Sequence, residues 1–150
     1  MTTRLEEKLR DDLKSSLRSG DKNRLATIRL IISAITYFEK SRQQPVNEQD
    51  IIGVIAREGK QRRESIEAYT QGNRQDLVDK EKAELAVIME YLPEQMERVE
   101  VEALAKKVID EVGAKTLQDK GKVMSKLMPQ LKGKVDGQIV NSVVSELLQG

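Results

Sequence analysis

Residues 25–38 read LATIRLIISAITYF, the longest apolar stretch of the chain, and Arg29 is the only charged residue within it. The stretch is too short to cross a bilayer. Its apolar residues lie on nearly all sides of a helix, so we expect a buried helix at the centre of a bundle. Because burying an unpaired guanidinium is strongly unfavourable, Arg29 must reach water or meet a carboxylate, with Glu58 and Glu84 as candidate partners.

The composition of the chain favours helices. Hydrophobic residues make up 38% of the 150 residues, charged residues 34% and aromatic residues only 3%. Good helix formers dominate, and the aromatic residues typical of strands are nearly missing. The length allows one ordinary domain or two small ones and excludes a large multi-domain enzyme. We therefore predict an all-α protein.

Apolar residues recur at helical spacing in seven segments. Four longer helices predict an N-terminal helical bundle over residues 1–93, and three shorter ones predict a small C-terminal domain over residues 97–150, with Pro93 at the boundary. With their caps, the predicted helices cover about residues 3–18, 21–41, 47–69, 74–91, 99–112, 119–131 and 136–150. Asn47 and Asp50 resemble a capping arrangement. Gly59, on the buried stripe of the third helix, indicates a close backbone contact.

The residue types exclude most catalytic sites. The chain has no His and no Cys, so neither a catalytic triad, nor a thiol nucleophile, nor an imidazole or thiolate metal site is available. The carboxylates fall on helix faces that we expect to be solvated. The glycines form no phosphate-binding loop, because no strand precedes them. We predict no catalytic residue, no metal and no cofactor.

The charge is unevenly distributed along the chain. The formal net charge of +1 does not suggest a nucleic-acid binder as a whole, but residues 113–141 hold six lysines and only two acids, Asp119 and Asp136. These lysines are Lys115, Lys120, Lys122, Lys126, Lys132 and Lys134. Lys122 and Lys126 are one turn apart on the sixth helix, and Lys132 and Lys134 precede the N-terminus of the seventh, which favours phosphate. The alternative is that these lysines only confer solubility, since no stacking aromatic accompanies them.

A second group of cations lies on the third helix, at Arg57, Lys60, Arg62 and Arg63. Pairs four residues apart explain most of it, namely Glu58 with Arg62, Lys60 with Glu64 and Arg63 with Glu67. For Arg29, Arg62 and Arg63 two interpretations stay open, a structural ion pair or contact with a ligand.

The segments DKGKVMSKLMP over residues 119–129 and EYLPEQ over residues 90–95 are specific motifs, and they resemble those of the GatB/YqeY family. The closing motif is similar at DKGKVMSKLMP over residues 119–129, KGKVDG over residues 132–137 and Val140-Asn141. The N-terminal pattern is similar at residues 24–34, at residues 57–65 and at EYLPEQ over residues 90–95. The resemblance covers essentially the whole chain.

The resemblance implies a two-part helical fold shared with the tail of the B subunit of the aspartyl/glutamyl-tRNA amidotransferase, a tail that contacts tRNA. It makes Lys122, Lys126, Lys132, Lys134 and Asn141 candidates for RNA contact, beside Lys115 and Lys120 from the charge pattern. The amidotransferase's catalytic cradle has no counterpart in this sequence. A carbon–nitrogen ligase label, with glutamine as amido-N-donor, would therefore describe the relative's holoenzyme.

We expect an accessory protein that binds tRNA by its shape and phosphates and does not catalyse by itself. Its partners would be tRNA and amidotransferase or other translation proteins. The alternative is a protein-interaction module that docks an acidic partner. Residues 1–18 lack the apolar core of a signal peptide, and without cysteine a reducing compartment fits best, so we expect a cytoplasmic location away from membranes.

Overall fold

The computed structural model describes residues 3–149, and its regular structure is helical throughout that range. The all-α prediction is confirmed. The helices are α1 (Arg4–Ser19), α2 (Lys22–Arg42), α3 (Glu48–Gln71), α4 (Gln75–Met89), α5 (Arg98–Val112), α6 (Lys120–Leu131) and α7 (Gly137–Gln149), with a short 3-10 helix at Leu117–Asp119. None of the helices in this range is both long and apolar enough to span a membrane.

The chain divides into two compact units, Met1–Leu92 and Pro93–Gly150. The first contains α1 to α4, and α2 contacts the other three helices. Apolar residues from all four helices fill its core. The largest fully buried ones are Leu9, Ile28, Ile31, Ile51, Ile55 and Ile88.

The second unit has its own core, formed by one apolar face of each of its three helices. Its buried residues are Val101, Ala105 and Val108 of α5, Val123, Leu127 and Leu131 of α6, and Val140, Val143, Val144 and Leu148 of α7. Since these residues recur every three or four positions, the opposite faces of the helices are left for polar side chains.

The prediction that α2 is buried on nearly all sides is wrong. Ile28, Ile31 and Ile35 are buried, but Leu30 is 47% exposed and Tyr37 77% exposed. The three neighbouring helices pack on one side of α2, so the apolar residues of its other side stay in contact with water. An apolar run without clear periodicity does not indicate which of its sides will be covered.

Local capping sets the helix ends. Asn47 Oδ1 accepts a hydrogen bond from Asp50 N at 2.8 Å, and Asp50 Oδ2 accepts one from Asn47 N at 3.0 Å. The predicted capping arrangement is therefore confirmed as a reciprocal capping box. Asp21 likewise caps α2, because its Oδ1 accepts a hydrogen bond from Arg24 N at 3.0 Å.

Gly59 is buried where α3 packs against α4. A Cβ atom placed there would lie 3.6 Å from Ile88 Cγ2 and 3.8 Å from Leu85 Cδ1, which is ordinary van der Waals contact. An alanine therefore fits without displacing either helix, and it removes the entropic cost of glycine inside a helix.

We predict that Gly59→Ala raises the free energy of unfolding by about 0.5–1 kcal/mol, measured by urea denaturation. Gly59→Leu should lower it by roughly 1–3 kcal/mol, because the larger side chain overpacks the contact. A destabilised alanine variant would contradict the packing described here.

Candidate nucleic-acid interface

The seven residues predicted to contact RNA all lie in the second unit, on four successive parts of the chain. Lys115 lies between α5 and the 3-10 helix, three of the lysines are on α6, Lys132 and Lys134 are in the turn between α6 and α7, and Asn141 is on α7. Lys120 and Lys134 are half-buried, and the other five are exposed. Lys120 lies about 200° around the helix from Lys122, so the predicted set does not share one helix face.

Asp119 organises the connection between α5 and α6. Its Oδ2 accepts hydrogen bonds from Lys115 N at 2.9 Å and from Thr116 N at 3.3 Å. These backbone bonds, with smaller contributions from the charges of Lys122 and Lys115, lower the pKa of the Asp119 carboxyl. The carboxylate therefore fixes the turn that carries Lys115 and leads into α6.

The two lysines that share a face of α6 differ in their surroundings. Lys126 Nζ lies 2.7 Å from Glu111 Oε2 of α5, and this hydrogen bond lowers the pKa of the Glu111 carboxyl. Lys122 is exposed and makes no ion pair within residues 3–149. Of the pair, Lys122 therefore has the charge that is more readily available to an anion.

The turn between α6 and α7 is braced by the first residues of the unit. Gln95 Nε2 donates hydrogen bonds to Gly133 O at 2.7 Å and to Pro93 O at 2.8 Å. Met96 N donates to Lys134 O at 2.8 Å. Since Gly133 has a φ of 78°, the turn needs a left-handed residue at this point.

These bonds hold Lys132 and Lys134 beside the first turn of α7. Asp136 Oδ1 accepts a hydrogen bond from Gln138 N at 2.9 Å, as an N-cap residue does. Asn141 is exposed one turn into the helix. The sequence analysis missed Gln95 as a residue of this site, although it closes the EYLPEQ motif.

Arg62 is a structural cation in the first unit. Its side chain is 14% exposed, with Nε 2.9 Å from Glu84 Oε2 and Nη1 3.0 Å from Glu58 Oε2. Glu81 Oε2 lies 3.6 Å from Nε. Three carboxylates thus surround one guanidinium, which is no longer available to a ligand.

Of the two possibilities for Arg29, pairing with Glu58 or Glu84 does not occur, and both of these acids pair with Arg62. Arg29 instead reaches water on the exposed side of α2. Arg63 is half-buried, with Nη1 3.9 Å from Met89 Sδ.

Two of the predicted pairs on α3 are also absent from the described residues. They are Lys60 with Glu64 and Arg63 with Glu67, whereas the pair Glu58 with Arg62 forms. Within the same residues, no group of three or more acidic side chains is arranged to hold a metal ion.

These features define a small helical protein whose second unit presents amines and an amide on a braced turn and an adjoining helix. The chain belongs to the Yqey-like protein family, whose sequence pattern matches residues 6–148.

Three fungal proteins illustrate the similarity. The protein named Altered inheritance of mitochondria protein 41, mitochondrial, of Pyrenophora tritici-repentis is 31% identical over 146 residues, which cover 94% of this chain and 79% of that protein. The protein of the same name from Eremothecium gossypii is 33% identical over 85 residues, covering 56% of this chain and 46% of that protein. An uncharacterized protein of Schizosaccharomyces pombe is 29% identical over 57% of this chain and 70% of its own length.

The prediction of a cytoplasmic location is contradicted by two of these relatives, which are named as mitochondrial proteins. The prediction of a cytoplasmic location depended on the lack of cysteine and on the lack of the apolar core of a signal peptide. Neither feature distinguishes the cytoplasm from a mitochondrial compartment, because both concern export through an oxidising route.

The role of Asp119 in the turn predicts how stability depends on pH. The pKa of the Asp119 carboxyl is lower in the folded chain than the ordinary value of 3.8. The stabilisation that this carboxylate contributes is therefore fully present above that value, and it is lost as the pH falls through the lowered pKa. We predict that Asp119→Ala lowers Tm at pH 7. We also predict a smaller loss of Tm between pH 6 and pH 3 than in the wild type.

Thermal melts followed by circular dichroism over this pH range measure both effects. Asp110→Ala is a matched control, because the exposed Asp110 side chain accepts no hydrogen bond from residues 3–149. Equal pH profiles for wild type and Asp119→Ala would contradict the role assigned to Asp119.

Proposed function

We propose that this protein binds tRNA through its second unit and acts as an accessory protein related to tRNA-dependent amidation. The observation that carries the proposal is the braced turn, in which Gln95 and Met96 hold Lys132 and Lys134 beside the N-terminus of α7. A preorganised cation loses less conformational entropy on binding than one on a mobile segment.

The turn and the adjoining helix provide complementary groups for a phosphate. The N-terminus of α7 contributes partial positive charge, to which Lys132 and Lys134 add full charges. The exposed amide of Asn141 can donate a hydrogen bond to a phosphate or a ribose hydroxyl. Lys122 supplies a further charge from an exposed position of α6.

The surface is suited to the shape of RNA rather than to its sequence. Residues 93–150 contain no aromatic side chain, so base stacking is not available to this unit. Ammonium groups on helices and turns contact the backbone of double-stranded segments, and such contacts carry little sequence information. The helical stems of a tRNA fit this mode of recognition.

The resemblance to the tail of the amidotransferase B subunit supports tRNA as the ligand, with α5 to α7 as the counterpart of that tail. In this proposal the chain supplies RNA contact and not the amide transfer. Because the amidotransferase's catalytic cradle has no counterpart in this sequence, the carbon–nitrogen ligase chemistry of the wider family would come from a partner enzyme.

We predict that Lys122→Glu with Lys132→Glu weakens tRNA binding at least tenfold at low salt. It should also flatten the dependence of log K on log salt by roughly two units, one for each phosphate that the variant no longer neutralises. Fluorescence anisotropy with labelled tRNA across a salt series measures both. Lys106→Glu with Lys107→Glu is the control with the same charge change, on exposed positions of α5. Equal behaviour of the two double variants would refute the proposed site.

The ion pair of Lys126 gives a prediction of the opposite sign. Glu111→Gln removes the carboxylate that lies 2.7 Å from Lys126 Nζ, so the ammonium group becomes available to a phosphate. We expect severalfold tighter tRNA binding at low salt, and no such gain when Lys126→Gln is added. Unchanged affinity in Glu111→Gln would exclude the α6 face from the RNA contact.

A further inference from the structure

The exposed side of α2 carries a row of three cations. Lys22, Arg29 and Lys40 are separated by seven and eleven residues, close to two and three whole helical turns, so they lie along one line. All three are exposed. The row extends for about 27 Å along the helix axis.

These three cations differ from the other cations of α2 in their ion pairing. The other two cations of α2 are paired, Arg24 with Glu90 and Arg42 with Asp50. Lys22, Arg29 and Lys40 make no ion pair within residues 3–149. The three charges are therefore available to a partner.

An exposed aromatic ring lies next to the row. Tyr37 is 77% exposed and is the only aromatic side chain classed as exposed in the described part of the chain. Leu30, seven residues earlier on the same side, is 47% exposed. Together the two side chains form a small apolar patch beside the row, on which a flat base could stack.

The C-terminal end of this face opens into a shallow cavity of about 470 Å³. Its lining includes Thr36, Lys40, Gln43 and Gln44, together with Glu39 and Pro45. The two amide side chains offer both donors and acceptors, which can pair with the edge of a nucleobase.

We propose that this face of α2 binds a single-stranded segment of RNA, with a base stacked on Tyr37 and phosphates on Arg29 and Lys40. Unpaired cations next to an exposed ring are the combination that single-strand binders use. A protein partner would need roughly 800 Å² of surface with an apolar centre, and this face has only two large apolar side chains. A duplex keeps its bases stacked inside and would leave the ring uncovered.

This inference does not depend on the proposed tRNA site, because it concerns residues of the other unit and a different form of RNA. Lys122→Glu with Lys132→Glu should leave the binding of a single strand to α2 unchanged. The failure of one proposal is therefore distinguishable from the failure of the other.

A tryptophan substitution tests the stacking directly. The chain contains no Trp, so Tyr37→Trp introduces a single reporter. We expect its emission to be quenched when an oligouridylate of about 12 nucleotides is added to the full chain, a length within the usual range of single-strand sites. An RNA hairpin without a single-stranded tail should leave the emission unchanged.

Affinity measurements on the full chain complete the test. Tyr37→Ala should weaken oligouridylate binding about tenfold, whereas Tyr37→Phe, which keeps the ring, should bind the oligouridylate as the wild type does. Arg29→Glu with Lys40→Glu should flatten the salt dependence by roughly 1.4 units. The charge-matched control is Lys80→Glu with Lys82→Glu, exposed on α4. All of these positions are exposed, and circular dichroism verifies that each variant folds.

Two results would overturn the inference. In the first, the oligouridylate does not change the indole emission of the Tyr37→Trp variant, and Tyr37→Ala binds the oligouridylate with wild-type affinity. The other is a response to poly-glutamate and none to oligouridylate, which would assign the face to an acidic protein partner instead.

Discussion

Three carboxylates, those of Glu58, Glu81 and Glu84, surround the largely buried guanidinium of Arg62. A charge that leaves water needs such partners, and acids engaged in this way are not available elsewhere. Arg29, by contrast, lies on the exposed side of α2 and makes no ion pair within residues 3–149. The chain holds nearly equal numbers of acids and bases, so the places where several unpaired cations lie close together determine where it can meet an anion.

Local features of the sequence predict much of the fold. Helical periodicity identifies the seven helices, and the capping box of Asn47 and Asp50 fixes the start of α3. Contacts between helices cannot be predicted from such local features, because they join residues far apart in the sequence. Nothing local indicates that Arg62 will pair with Glu84 or Lys126 with Glu111. The exposure of Leu30 and Tyr37 could not be predicted for the same reason, because it depends on which side of α2 the neighbouring helices cover.

The candidate site also combines features that the sequence predicts with features that only the tertiary structure shows. The lysines of the second unit are visible as a charge pattern, but their availability depends on tertiary structure. Glu111 holds Lys126, whereas Gln95 and Met96 brace the turn of Lys132 and Lys134. The segments 90–95 and 132–137, in which the sequence resembles the family's motifs, are thereby joined by the hydrogen bond from Gln95 to Gly133. The bracing gives these motifs a physical role, which is to hold a cationic turn in a fixed conformation.

The central claim, that the cations grouped on α6 and the braced turn bind RNA whereas the enclosed Arg62 does not, can be tested by one NMR titration. Unlabelled tRNA is added to ¹⁵N-labelled protein, and the amide shifts are followed residue by residue. The account predicts that the largest changes fall on residues 120–141, with none around Arg62. Changes centred on α3 and α4 near Arg62, or spread evenly over all helices, would contradict it.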